Sequence, residues 1–395
     1  TVDFGTFTED SFDGIDSQGI LFPNVALKAT PGENVKAYVV LNGESTILST
    51  LQGTSAAGFD GVYNGVISKI ASELAKNVDT KDVIMMTNTV APVEKEVKAG
   101  VSEGDAMAGS VNTFMVDVER VVSRAIVTAA EAAKSQVIPV KDAMDVKQSE
   151  ITIQSVSYVV GQSNKEFFLT KKTDWTTPDA VYNHVPGVWD PELFDKTGLA
   201  SLTEVKTATG GTSITQFETA LKGEGAASKF VLPVTHADGN YRKGNTTYFE
   251  VTAIFTPNAV TDDGIATYTD GDDVFLGMKD GLFYSARELA EAEGQKATHY
   301  KGDGTTGAIM KYVLWLNPDK VPGAAAGEKA TMSPTVRNQV YHAHITGFKQ
   351  IGLPNNPLNP TDPNNPDPDN PTDPTIPGNF NPINPIKPTD PLQTE

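Results

Sequence analysis

Thirteen of the chain's 25 prolines fall in its last 42 residues. They stand at 354, 357, 360, 363 and 366, then at 368, 371, 374 and 377, then at 382, 385, 388 and 391. Proline has no backbone N–H and a fixed φ, so a run this dense builds neither a helix interior nor a central strand. The three-residue interval matches the three residues per turn of polyproline II, which sets the rings of each run on one ridge. Intervening Asn, Asp and Thr keep such a rod in water. Fully extended, it would reach on the order of 130 Å at ~3.1 Å per residue. The expectation is a folded body followed by a polyproline-II-like spacer or strap over residues 354–395, with Pro354, Pro357, Pro360, Pro363 and Pro366 as its first ridge.

The body has to hold by packing and backbone hydrogen bonds alone, because the 395 residues include no cysteine. Disulfide frameworks, cysteine metal sites and thiol nucleophiles are thereby excluded. Asp and Glu number 50 against 31 Lys and Arg, a net charge of -19. The last 42 residues hold six acidic groups and one lysine, a net of -5, which leaves -14 for the rest. Such a surface repels nucleic acid and anionic lipid. The chain starts at Thr1 with no charged-then-apolar leader, and no apolar run has transmembrane length.

Period-two alternation dominates the body. Val35, Ala37, Val39 and Leu41 share one face of a strand that follows the turn signal Pro31-Gly32-Glu33-Asn34. Val83–Thr87, Phe114–Thr128, Ile151–Val160, Phe167–Thr170, Phe230–Val234, Tyr248–Phe255, Ile309–Leu316 and Val340–Phe348 read as further strands. Val62, Val66, Ile67, Ile70 and Leu74 recur at helical spacing, which predicts a helix over residues 60–76. A second, short helix is expected near Ser285–Glu293. The polar stretch 171–228, with Trp175 and Trp189, reads as long loops. The fold class is all-β with a few short helices. Two β-sandwich domains are expected, over residues 1–123 and 124–353, before the tail.

Motifs for chemistry are sparse. Gly302, Gly304 and Gly307 spell GxGxxG, but a strand rather than a helix follows, so a hairpin turn is expected. His342 and His344 lie two apart on a strand and could share a metal, with structural packing as the alternative. Asp262, Asp263, Asp270, Asp272 and Asp273 are candidate oxygen ligands for calcium, with a solvated acidic loop as the alternative. No GxSxG, HExxH or P-loop occurs, so no catalytic residue and no cofactor is expected.

Several stretches carry a family likeness: VKAYVVLN from Val35, IMMTNTV from Ile84, VERVVSRAIV from Val118, KFVLPVTHADGNYRKGNTTYFEVTAIFTP from Lys229 and VRNQVYHAHITGFKQIGLPNNPLNP from Val336. Together they run from the start of the body into the tail. On these residues the chain resembles the fimbrillins, the pilins of type V pili, and most of all the shaft subunits of the minor (short) fimbriae.

The resemblance implies transthyretin-like β-sandwich domains and a lipoprotein precursor whose N-terminal strand an arginine-specific protease removes. The groove so opened is filled by a C-terminal strand of the next subunit, which is β-augmentation. The implied partners are identical subunits in a head-to-tail polymer, accessory and anchor fimbrial subunits, and host or bacterial surface ligands. The implied location is an outer-membrane-attached fimbrium on the cell surface. The family has a further β-rich segment after its proline stretch, and its mature start precedes a stretch like Asp3-Phe4-Gly5-Thr6. The expectation is therefore that both ends are trimmed here and that the donor strand lies outside this sequence. The alternative is a glycan-binding surface adhesin that is not the main polymer subunit. A polysaccharide-acting enzyme would need paired carboxylates in a cleft.

Overall fold

The computed structural model of the chain describes residues 4–78, 81–109, 111–178, 194–195, 199, 202–207, 228–236, 241–262, 264–266, 268–316, 335–356 and 358. Among these residues strand dominates, and no helix is long and apolar enough to cross a membrane. The fold is all-β with short helices, as the alternating runs require.

The later part of the body is two sheets packed face to face. The first is centred on the strand Ser123–Ala129, whose apolar residues point to both faces and are nearly all buried. That composition suits a strand covered on both sides. Val340–Ile345 pairs with it in parallel, from Arg124 opposite Val340 to Ala129 opposite Ile345. Along the other edge, Lys229–Val231 pairs antiparallel with its first half and Lys206–Thr207 parallel with its second. A parallel pair needs a long crossover, and here the crossover contains the whole second sheet.

That second sheet orders Val137–Lys141, Lys147–Gly161, Tyr248–Pro257 and Ala308–Trp315, all antiparallel. The long strand Lys147–Gly161 points Ile151 and Ile153 into the core, then Val156, Tyr158 and Val160. The alternation slips by one because Gln154 is an extra residue: Ile153 faces Phe255 and Ser155 faces Ile254. This β-bulge resets the phase so that one strand keeps its apolar side inward along its whole length. The inward residues meet Ala125, Val127 and Ala129 of the first sheet, with Phe249, Val251, Phe255, Met310 and Tyr312 beside them. Burial of each large side chain there contributes roughly 1.5–3 kcal/mol.

The earlier part of the body has a smaller core. Ile47 and Leu51 come from the helix Ser45–Gln52, and Phe59 and Tyr63 from the helix Ala56–Tyr63. Glu44 caps the first helix, accepting the N–H groups of Thr46 and Ile47 at 3.0 and 3.1 Å. Burial opposes ionisation of this carboxyl, yet the Thr46 hydroxyl and the two N–H groups hold it down at about 2. A cap of this kind is worth about 1 kcal/mol.

The single helix expected over residues 60–76 is split. A helix ends at Tyr63, Val66–Ser68 is a strand paired with Glu166–Phe168, and Ala71–Leu74 is one helical turn. Gly65 makes the break, since a Cβ there would lie 2.8 Å from the Gly61 carbonyl oxygen. Pairing with a distant strand outweighs the local 3.6-residue period. The run expected as one strand over 114–128 is two, Val118–Arg120 and Ser123–Ala129. Val121 and Val122 between them fill the earlier core. That core is completed by Phe167, Leu169 and Leu232, so the chain crosses between the two cores beyond residues 123/124.

Candidate assembly surfaces

The glycine and histidine motifs singled out for chemistry are hydrogen-bonded into the fold. Gly302 sits where a Cβ would lie 2.0 Å from the Gly271 carbonyl oxygen, so two turns pack back to back. The Asp303 carboxylate accepts the N–H groups of Thr305, Thr306 and Gly307 at 2.7–3.1 Å. An acidic side chain thus fills the position a phosphate would need, and the loop is a turn into the strand Ala308–Trp315. His342 Nε2 and His344 Nδ1 lie 2.7 and 2.9 Å from the Thr128 hydroxyl of the neighbouring strand. Burial pushes both imidazoles below their usual range, and His344 adds to the effect on His342.

Of the calcium candidates, Asp263 and the side chain of Asp262 lie outside the described residues. Asp273 receives the Gly302 N–H and lies 2.8 Å from His299 Nε2, and Asp272 takes the Tyr268 hydroxyl on its carbonyl oxygen. Asp270 is exposed. Among the described residues no group of three or more His, Asp or Glu side chains converges as metal ligands would.

The earlier part of the body is built from small sheets. Asn34–Ala37 pairs with Val93–Glu96, and Ala75–Val78 with Lys81–Ile84, each as a ribbon of two. Val40–Leu41, Met86–Asn88 and Val118–Arg120 form a sheet of three. Among the described residues each outer strand therefore has an edge with no strand beside it. Ala37 to Val39 has its backbone served by a side chain instead: Asn88 Oδ1 accepts the Val39 N–H at 2.7 Å, and its Nδ2 donates to the Ala37 carbonyl at 3.2 Å. Tyr63 donates to the Val39 carbonyl at 2.7 Å.

Apolar surface lies in the same region. Val66, Val78, Val83, Val90, Met107 and Met115 are exposed there, as are Ile15, Leu21, Phe22 and Leu27 on and beside the hairpin Phe12–Ile15/Leu21–Pro23. Open edges together with uncovered apolar side chains are what an incoming extended segment needs.

The start of the proline-rich stretch is docked on the body. Leu353 exchanges backbone hydrogen bonds with Lys311 at 2.8 and 2.9 Å. Leu353, Pro354, Asn355, Asn356 and Leu358 are buried. They cover the face of the second sheet that points away from its core. Beneath them lies an ion pair, Lys311 Nζ to Glu250 Oε1 at 2.5 Å, with both side chains under 5% exposed. Asn356 Nδ2 donates to Glu250 Oε2 at 2.7 Å and lies 3.0 Å from the Tyr248 hydroxyl. Pro354, the first residue of the expected spacer or strap, is docked on the body, because apolar Leu353 and Leu358 bracket polar groups that match the sheet below. Pro357, Pro360, Pro363 and Pro366 lie outside the described residues.

A second buried ionic cluster joins the two parts of the body. Arg337 is 4% exposed and donates to the carbonyls of Phe168 and of Leu169, the latter at 2.9 Å. Its Nε lies 3.8 Å from Glu119, and Lys171 lies 3.6 Å from the same carboxylate. Burial pushes Glu119 above the usual carboxylate range, partly offset by Arg337 and Lys171. Burial likewise lowers Arg337 to about 10, with Glu119 opposing.

The described residues thus form an all-β body with open strand edges in its earlier part and an extended strap docked on its later part. The chain is similar to the fimbrillins. The family model for the C-terminal part of the major fimbrial subunit protein type IV, fimbrillin, matches residues 305–378. Two sequences of the minor fimbrium subunit Mfa1 of Porphyromonas gingivalis are 30% and 29% identical over 356 and 350 residues, each alignment covering 82% of this chain. The chain spans 66% of the length of each. A solved fimbrilin from Porphyromonas gingivalis W83 superposes with a TM-score of 0.34 at 15% identity, covering 80% of this chain and 74% of that one. This is a family of fimbrial structural subunits and not of enzymes.

Proposed function

We propose that the chain is a structural shaft subunit of cell-surface fimbriae that polymerises head to tail by donor-strand exchange and supports adhesion. The observation that carries this reading is the set of open strand edges and exposed apolar side chains in the earlier part of the body. An extended segment of a neighbouring subunit would add main-chain hydrogen bonds along those edges and bury the uncovered Val and Met side chains. The contact joins two different surfaces, so repetition does not close and a filament results. Accessory and anchor subunits at the outer membrane, a lipid-anchored precursor, and host or bacterial surface ligands belong to the same reading.

Negative-stain electron microscopy of the protein expressed and matured in a fimbriated host tests it. Filaments containing this chain are expected. Monodisperse particles that bind glycans would favour the adhesin reading instead.

A further inference from the structure

At the junction of the two parts of the body a cleft is lined by Phe168, Lys171, Lys172, Trp175, Pro178 and Pro233, among others. In a chain of net charge -19, it brings two lysines against two aromatic rings. Lys171 Nζ lies 4.1 Å from the Trp175 ring centroid, and Lys172 Nζ lies 4.2 Å from that of Phe168. Arg337, on the cleft floor, is committed to Glu119 and to two carbonyls. Lys171 shares Glu119, and Lys172 donates to the Asn64 carbonyl at 3.0 Å. An ammonium has three protons, so each lysine retains donors beyond these contacts. Asp174 is the remaining acid of the loop; the Thr176 hydroxyl and N–H hold its carboxyl below the usual range.

Trp175 has a φ of +64°, a backbone region that bulky residues rarely occupy. The loop is pinned there: the Trp175 N–H donates to the Lys172 carbonyl at 3.1 Å, and the Thr235 hydroxyl donates to the Trp175 carbonyl at 2.8 Å. Thr177 and Thr235 bridge the same loop at 3.1–3.2 Å. A half-buried indole whose backbone is pinned in a sparsely populated conformation beside a cleft is a feature that packing alone does not call for.

We propose that this cleft seats the acidic proline-rich tail of a second copy of this chain; the proposal rests on the shaft reading above. Aromatic-lined grooves bind polyproline II by stacking its rings, and the flanking charges fix register. The tail supplies both chemistries in adjacent residues, at Asp362-Pro363, Asp367-Pro368 and Asp373-Pro374. Each such step offers a ring beside a carboxylate, and the cleft offers two rings, each beside an ammonium. Residues 361–377 carry four aspartates and no lysine or arginine. The last described residue is Leu358, held in the docked strap, and the 37 residues from 359 to 395 follow it. Extended as polyproline II at ~3.1 Å per residue they would reach on the order of 110 Å. Seating part of the spacer at this junction would fix where the tail of one subunit runs over its neighbour.

The test uses a fluorescently labelled peptide of residues 361–377. The receptor is the full chain carrying Asp362→Asn, Asp367→Asn, Asp369→Asn and Asp373→Asn, so that its own tail competes poorly. Saturable, salt-sensitive binding is expected by fluorescence anisotropy. Adding Trp175→Ala, or Lys171→Ala with Lys172→Ala, should weaken it by about tenfold. Neutralising the peptide's four aspartates should do the same, while Trp175→Phe, which keeps a ring, retains most of the affinity. Circular dichroism of each receptor variant checks that it is folded. Absence of saturable binding, or binding indifferent to Trp175→Ala, overturns the proposal, as does a cleft that binds an oligogalacturonate and not the peptide. Filament formation by the unsubstituted protein is scored in parallel. Filaments without peptide binding sink this proposal and leave the shaft reading standing. Peptide binding without filaments does the reverse.

Discussion

Replacing Lys311 by Met should destabilise the protein by about 3–5 kcal/mol, because it leaves the Glu250 carboxylate buried without its cation. Methionine keeps most of the lysine stem, so packing beneath the strap changes little. What changes is that Glu250, at 3% side-chain exposure, retains among the described residues only the Asn356 amide as a partner. The double variant Lys311→Met, Glu250→Gln removes both charges and keeps an acceptor for Asn356, so it should recover most of the loss. Chemical denaturation of the two variants measures this. Hydrogen exchange reads the local consequence: the amides of Lys311 and Leu353, which bond across the strap, should lose protection in the single variant and regain it in the double one. A single variant as stable as the parent would mean that the strap is not held by this pair.

Arg337→Ala should be comparably costly, about 3–5 kcal/mol, for a different geometric reason. It takes one donor from each of the Phe168 and Leu169 carbonyls, the latter keeping the Thr87 hydroxyl, and leaves Glu119 buried with Lys171 as its nearby cation. The loss should depend on pH. Glu119 already sits above its reference of 4.5 because of burial, and removing Arg337 raises it further. A carboxyl with a raised folded pKa contributes stability that is fully present below the unfolded value and is lost as pH rises through the folded one. The deficit relative to the parent should therefore be smaller near about pH 4.5, where only the lost carbonyl contacts and packing count, and grow toward about pH 7. Denaturation curves at the two pH values check the sign. A deficit that shrinks as pH rises would contradict it, and adding Glu119→Gln should flatten the dependence.

Both clusters lay beyond what the sequence shows, and the reason is physical. Glu250 and Lys311 are far apart in the chain and become partners only through the pairing of Tyr248–Pro257 with Ala308–Trp315. What was legible was the strand period itself. Tyr248, Glu250 and Thr252 on one face and Phe249, Val251 and Ala253 on the other follow from alternation alone. The unusual signal was a charge in the middle of an otherwise apolar strand, in Glu250 and again in Lys311; each asks for a buried counter-charge. The helix expected over 60–76 shows the opposite limit. Val66 and Ile67 fit a helical period, and only the presence of Glu166–Phe168 as a strand partner makes them a strand. The proline period separated tail from body, but not the docked residues at its base, because docking of Leu353 and Asn356 depends on the sheet face they meet.

The candidate assembly surface was even less legible. A two-stranded ribbon such as Asn34–Ala37 with Val93–Glu96 has the same alternation whether or not a third strand lies beside it. An unfilled edge is a property of pairing, not of any residue. Only the family likeness of the sequence pointed there.

The most direct test of assembly by edge filling is hydrogen exchange compared between monomer and filament. The account predicts that amides of the ribbons 34–37/93–96 and 75–78/81–84 gain protection on polymerisation, while those of 147–161 and 248–257, already paired on both sides, stay unchanged. Filaments whose ribbons exchange as fast as in the monomer would contradict it.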